Sequence, residues 1–127
     1  MKEIVKTDKA PAAIGPYSQA IRIKCSTLVF CSGQIPINPK TGELVGKTSA
    51  EQCQQVMDNI AELLRAAGSD LTKILKSTIF LTDLKDFAPV NEMYSTYFTN
   101  DPPARSTVEV SKLPRDAKIE IEVIAYI

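Results

Sequence analysis

Histidine is absent from the 127-residue chain, and so is tryptophan. Without histidine no Ser-His or Cys-His nucleophile pair can form, and no imidazole can hold a metal ion. The only cysteines, Cys25, Cys31 and Cys53, contain no C-x-x-C pair. An odd, sparse count points to reduced thiols in a cytosol-like compartment. Cys31 and Cys53 read as small apolar fillers, whereas Cys25 lies in a polar Lys-Cys-Ser turn. Charge of one sign is missing too, because 15 Lys and Arg balance 15 Asp and Glu. No global positive field is available to hold a nucleic-acid backbone or an anionic membrane. No apolar run is long enough for a membrane span or a signal-peptide core. The N-terminal segment carries Glu3 and Asp8 and no arginine, unlike a mitochondrial transit peptide. The expected location is therefore cytoplasmic, and a mitochondrial one would need a presequence.

What is present is ordinary for a globular chain: 44% hydrophobic and 24% charged residues, in a length that suits one domain over 1–127. Residues 2–7 suggest a short first strand, residues 8–16 a loop, and residues 17–24 and 27–32 two further strands. Leu28-Val29-Phe30-Cys31 is continuously apolar, as in a strand buried on both faces. The turn Asn38-Pro39-Lys40-Thr41-Gly42 follows. A helix is predicted from Ser49 to Ala67, opened by a Ser49/Gln52 capping box and stopped by Gly68. Its apolar stripe is Cys53, Val56, Met57, Ile60, Leu63, Leu64 and Ala67. Ile74 to Leu81 is the next strand, and a second helix covers 86–98, capped by Asp83 or Asp86. Its buried stripe is Phe87, Val90, Tyr94, Tyr97 and Phe98, with Asn91 beside it.

Residues 102–110, Pro-Pro-Ala-Arg-Ser-Thr-Val-Glu-Val, organise the rest. The two prolines fix an extended entry. Ser106, Val108 and Val110 then alternate with Arg105, Thr107 and Glu109. Arg105 thus sits at the mouth of a rigid strand, where a guanidinium suits bidentate capture of a carboxylate or phosphate. On position alone a surface ion pair with a neighbouring acid is the commoner role for such an arginine, so other residues must tip the balance.

The last strand sets Ile119, Ile121, Val123 and Ala125 against Glu120, Glu122, Ile124 and Tyr126. The order β-β-β-α-β-α-β-β implies an α+β fold, a mixed sheet with two helices on one face. The uncovered face is expected to carry Arg105, Thr107 and Glu109 beside Glu120 and Glu122, together with apolar residues. Sheet-to-sheet association explains both kinds of residue, so a homo-oligomer with polar clefts between subunits is expected. In such a cleft Arg105 can anchor a carboxylate and Glu120 can orient or deprotonate water. A tyrosine hydroxyl can complete the hydrogen bonding, and Gly33 leaves room for close approach to its backbone. This set fits hydrolysis of a small electrophilic acid better than amide cleavage.

Five motifs, in order, resemble the RidA family, also called YjgF or L-PSP endoribonuclease-like. They are Gly15-Pro16-Tyr17-Ser18-Gln19-Ala20, Ser32-Gly33-Gln34-Ile35-Pro36, Asp83-Leu84-Lys85-Asp86-Phe87 with Val90-Asn91, Pro103-Ala104-Arg105-Ser106, and Lys118-Ile119-Glu120-Ile121-Glu122. The resemblance implies a chorismate-mutase-like fold with a six-stranded sheet, and a homotrimer with three clefts. It implies 2-iminobutanoate/2-iminopropanoate deaminase activity without cofactor or metal, sparing pyridoxal-phosphate enzymes from damage. Position by position, Arg105 resembles the carboxylate grip and Glu120 the residue that positions water. Tyr17 resembles the cleft tyrosine, Ser32 and Gly33 the pocket-lining pair, and Asn91 an asparagine near the site. Thr107 departs from the cysteine of many members, and its backbone N–H remains able to serve a ligand.

Two other readings are weighed. The first is an endoribonuclease or translation inhibitor, disfavoured by zero net charge, no histidine and no aromatic-basic interleaving. The second is a non-catalytic small-ligand-binding trimer, disfavoured by the presence of Arg105.

Overall fold

The structure, a computed structural model, describes residues 2–24 and 27–127. Cys25 lies outside them. The elements are β1 (Lys2–Val5), β2 (Ala20–Ile23), β3 (Leu28–Gln34), α1 (Ser49–Ala66), β4 (Ile74–Leu81), α2 (Phe87–Ser95), β5 (Ala104–Glu109) and β6 (Ile119–Tyr126). Both helices pack on one face of a mixed sheet, so the fold is α+β, as expected. The hydrogen bonding groups the six strands as β3-β6-β4-β5 and an antiparallel β1-β2 ribbon. Within the larger group β4 and β5 run parallel, and the other pairs are antiparallel. The strand expected over 17–24 begins only at Ala20, because Tyr17 is held in a tight turn by its N–H donating to the Gly15 carbonyl at 2.7 Å.

Helix α1 forms because its apolar positions recur at helical spacing and both ends are capped. The N-cap is Thr48, not Ser49: Thr48 Oγ1 accepts from the Glu51 N–H at 3.2 Å, and Glu51 Oε2 accepts from the Lys47 N–H at 2.9 Å. Ser49 and Gln52 instead turn inward and are buried, and Gln52 Oε1 accepts from the Lys118 N–H at 2.8 Å. The helix ends at Gly68, whose φ of +82° suits a residue without Cβ. Gly68 N–H donates to Arg65 O at 3.0 Å and Ser69 N–H to Leu64 O at 2.8 Å, which is a Schellman closure.

The core lies between α1, α2 and the sheet. Cys53, Val56, Met57, Ile60 and Leu64 from α1 meet Val90 and Tyr94 from α2 and Ile79, Leu81, Ile119, Ile121 and Val123 from the sheet. Leu63, expected in this stripe, is 41% exposed on the flank of the helix. The second helix is shorter than the predicted 86–98. Residues Leu84–Asp86 form a 3-10 turn with Asp83 as its cap, and α2 runs only from Phe87 to Ser95.

Register overturns one expectation that matters for the site. Arg105 pairs with Ser77, Thr107 with Ile79 and Glu109 with Leu81, and those β4 residues all face the helices. Glu120 pairs with Phe80 and Glu122 with Thr78, which face away from the helices. Directly paired residues share a face, so Arg105, Thr107 and Glu109 lie on the helix side and the β6 glutamates on the open side. The open side also carries Leu28, Phe30 and Val108, which are 45%, 71% and 43% exposed. Alternation along β5 predicts its polar residues outward. They point inward because β5 is an edge strand, where the helix-side positions meet α2 and its preceding turn.

Candidate active site

The second residue of β5, Arg105, faces α2. Three rings surround its guanidinium, with Tyr17 and Tyr94 centroids 5.3 Å and Phe87 5.7 Å from the guanidinium carbon. Arg105 Nη1 donates to Asn91 Oδ1. Phe87, Asn91 and Tyr94 stand at i, i+4 and i+7, one stripe of α2, so a single helix face builds most of the cage. Gly15 borders the remaining side: a Cβ there would lie 3.7 Å from Arg105 Nη2.

Tyr94 is fully buried and its hydroxyl donates to Ser77 Oγ at 2.9 Å. Burial pushes the Tyr94 pKa up to about 12, against the opposing pull of that hydrogen bond and of Arg105. Tyr94 is therefore a neutral floor beneath the cation. Burial also lowers the Arg105 pKa from its ordinary value, and Tyr94 and Tyr17 counter this. A guanidinium nevertheless stays charged in proteins. Among the described residues no carboxylate lies within ion-pair distance of it. Arg105 is thus a half-buried cation oriented by rings and one amide, with unused N–H donors. A surface ion pair, the competing role for this arginine, is not formed. The arrangement suits a planar anion with two oxygens.

One pleat along β5, Thr107 lies on the same face as Arg105. Glu109, a further pleat on, accepts from the Leu84 N–H at 2.9 Å and ties β5 to the turn before α2.

Glu120 is elsewhere. On the open side of the sheet its carboxylate lies against Gly33, so closely that a Cβ on Gly33 would fall 2.2 Å from Oε2 and 2.8 Å from Cδ. Ser32 and Gly33 form a bulge: Cys31 pairs with Val123 and Gln34 with Ile121, leaving two residues opposite Glu122. The space left by the missing side chain of Gly33 is filled by Glu120. One protomer therefore holds two half-sites, a cage of Tyr17, Phe87, Asn91 and Tyr94 around Arg105 with Thr107 one pleat along, and a carboxylate over the Ser32–Gly33 bulge. It does not bring the two together.

A hollow of about 830 Å³ lies between the β1-β2 ribbon, residues of the 6–19 segment and Asp101–Pro102. It shares Gly15 and Tyr17 with the cage but does not reach Arg105. Two of its polar side chains are engaged by the chain itself. Gln19 Nε2 donates to the Thr7 and Pro11 carbonyls and Ser18 Oγ to the Pro102 carbonyl. Among the described residues, Cys31 and Cys53 play no part in either half-site. Cys53 is fully buried with its pKa pushed up to about 12, and Cys31 packs against the core.

The profile of the endoribonuclease L-PSP family matches residues 7–127. The chain belongs to this family, the RidA family. A RutC family protein of Saccharolobus solfataricus is 54% identical over 125 residues, covering 98% of each chain. The 2-iminobutanoate/2-iminopropanoate deaminase of Mus musculus is 43% identical over 125 residues, covering 98% of this chain and 91% of the mouse protein. The crystal structure of E. coli TdcF with bound serine superposes with a TM-score of 0.76 at 42% identity, covering 98% of each chain. Relatives of this RidA-family chain thus include named imino-acid deaminases.

Among the cage residues, sequence reasoning had assigned Phe87 and Tyr94 to the buried core. Their i, i+4, i+7 spacing with Asn91 was the available signal. It was overlooked because an aromatic stripe on an amphipathic helix has packing as its ordinary explanation. Among the described residues, no helix is long and apolar enough to cross a membrane.

Proposed function

We propose that the chain hydrolyses small reactive 2-imino acids and their enamine tautomers, such as 2-iminobutanoate and 2-iminopropanoate, to 2-oxo acids and ammonia, protecting pyridoxal-phosphate enzymes. The observation that carries this is the caged Arg105 guanidinium without a carboxylate partner. The deaminase name of the mouse relative and the serine bound by TdcF support a small carboxylate-bearing ligand.

In this reading Arg105 grips the substrate carboxylate and Asn91 fixes the guanidinium plane. Tyr17 walls the cleft. Glu120, over the Ser32–Gly33 bulge, holds a water and takes a proton as its oxygen attacks the iminium carbon. Glu120 returns that proton to the nitrogen, the added hydroxyl collapses to the 2-oxo carbonyl as the C–N bond breaks, and ammonia leaves and takes up the hydroxyl proton. The carbon is already electrophilic, so positioning supplies most of the rate gain. No metal or cofactor takes part.

Because Arg105 and Glu120 face opposite ways, the complete cleft forms between copies of the chain, and we place it in a homotrimer. The apolar residues of the open face, Leu28, Phe30 and Val108, are then covered by neighbouring copies. A coupled assay with threonine dehydratase tests the activity. The protein should speed formation of 2-oxobutanoate, and Arg105→Ala should abolish the effect with an unchanged circular dichroism spectrum. A wild-type protein without effect on 2-oxobutanoate release would defeat the reading. RNA cleavage lost in Arg105→Ala would redirect it to the ribonuclease alternative.

A further inference from the structure

Thr107 Oγ1 is, among the described residues, the buried side-chain polar atom that has no hydrogen-bond partner. Leaving a hydroxyl dry and unpaired is costly, and native structures do it rarely and for a reason. Its neighbours on the same face show what the reason is. Arg105, two residues before, presents unused donors inside its cage, and Glu109, two residues after, is tied to the Leu84 N–H. Thr107 lies between the anion cage and that anchored turn, on a strand fixed by pairing with Ile79. The residue as a whole is only half-buried, although its hydroxyl oxygen is sealed. A rotation of about 120° about χ1 exchanges hydroxyl and methyl between staggered wells. The same side chain can therefore turn its methyl to the interior and its hydroxyl to the cleft.

We infer that the Thr107 hydroxyl is a ligand-binding group of the Arg105 site, swinging out to donate to the carboxylate that the guanidinium holds. This rests on the carboxylate anchor proposed above and adds a second, side-chain donor to it. The hydroxyl is thus destabilising in the empty protein and stabilising in the complex, so removing it should move stability and affinity in opposite directions.

Thr107→Val, nearly the same shape without the hydroxyl, separates these effects in the full chain. Thermal unfolding without ligand and calorimetric titration with 2-oxobutanoate are the two readouts. Thr107→Val should melt higher than wild type and bind 2-oxobutanoate about two- to ten-fold more weakly, the effect of one net hydrogen bond. Thr107→Ser keeps the hydroxyl and should bind within about two-fold of wild type. Unchanged affinity in Thr107→Val overturns the inference. A lower melting temperature in Thr107→Val also overturns it, since the hydroxyl would then have an internal partner such as a buried water. If wild type binds 2-oxobutanoate no better than Arg105→Ala, the anchor fails and this inference with it. If wild type binds and Thr107→Val binds equally, the anchor stands and only the role of Thr107 falls.

Discussion

Arg105 and Glu120 project from opposite faces of one sheet. The first is caged against α2 and the second lies over Gly33. Strand β4 lies between their two strands, the sheet itself separates the two faces, and no rotamer change brings the groups to one substrate. Chemistry that needs both must draw them from different copies of the chain. Under the proposed function subunit association becomes part of the catalytic apparatus, and the apolar open face gains a use that solvent exposure does not give it.

Complementation tests that separation directly. Arg105→Ala and Glu120→Gln should each be inactive alone. In the proposed trimer, reassembled from equal amounts, a cleft would be intact when one copy keeps Arg105 and its neighbour keeps Glu120. Each condition holds for half the copies, so activity should recover to about a quarter of wild type under random mixing. Imine hydrolysis by the mixed and reassembled proteins is the measurement. A site within one protomer would give no recovery.

Gly33→Ala should damage activity far more than stability. The added Cβ falls 2.2 Å from Glu120 Oε2, so the carboxylate must leave its place over the bulge. A carboxylate at the end of a flexible side chain moves at small cost, so unfolding free energy should change by less than about 1 kcal/mol. In the proposed mechanism the water held by Glu120 would then be lost, and kcat should fall by about ten-fold or more with KM little changed. Urea unfolding beside steady-state kinetics checks both halves.

How much of this was legible follows from which face of each strand is apolar. The β6 pattern was read correctly because Ile119, Ile121, Val123 and Ala125 give one unbroken apolar face, which the helices cover. The β5 pattern was read inside out. Alternation assigns faces only when apolar means inward, and here Val108 faces the open side while Arg105 and Thr107 face α2. An edge strand beside a short helix permits this, since its helix-side positions border a cleft and not the core. The motif residues Arg105, Asn91 and Tyr17 were identified and do converge. The rings of Phe87 and Tyr94 were seen but explained as packing. The bulge at Ser32–Gly33 left no mark that a glycine in a loop would not also leave.

Asn91→Asp should impair binding more than Asn91→Ala. Asn91 Oδ1 accepts from Arg105 Nη1 without charge, so the guanidinium stays available for the substrate. Aspartate would pair with it and compete for the cation. Alanine merely releases it to rotate. A hydrogen bond to a charged group is worth about 1.5–3 kcal/mol, so KM should rise roughly ten-fold or more for alanine and further for aspartate. The order of the two KM values is the check.

Alkaline pH should destabilise the fold through its buried thiols and phenols. Cys53 is pushed by burial from 9.0 to about 12, and Tyr94 by burial from 10.0 to about 12. Tyr97 is also raised, by burial first and then by its contact with Asp58. Each group is neutral when protonated, so the fold favours the protonated form. Below pH 9 both folded and unfolded chains keep these protons and the full stability is present. Above that the unfolded chain ionises first and binds fewer protons than the native one. Stability therefore falls as pH rises, by up to about 1.4 kcal/mol per pH unit for each group. The loss should begin near 9 with Cys53, steepen near 10 with the tyrosines, and level off near 12 as the native groups titrate. Urea unfolding at a series of pH values measures it. Cys53→Ala lowers stability throughout by leaving a cavity, but it should reduce the slope between pH 9 and 10, where Cys53 and Cys31, a second thiol raised by burial, titrate before the tyrosines. An equally steep curve in that variant would show that the buried thiol is not the source.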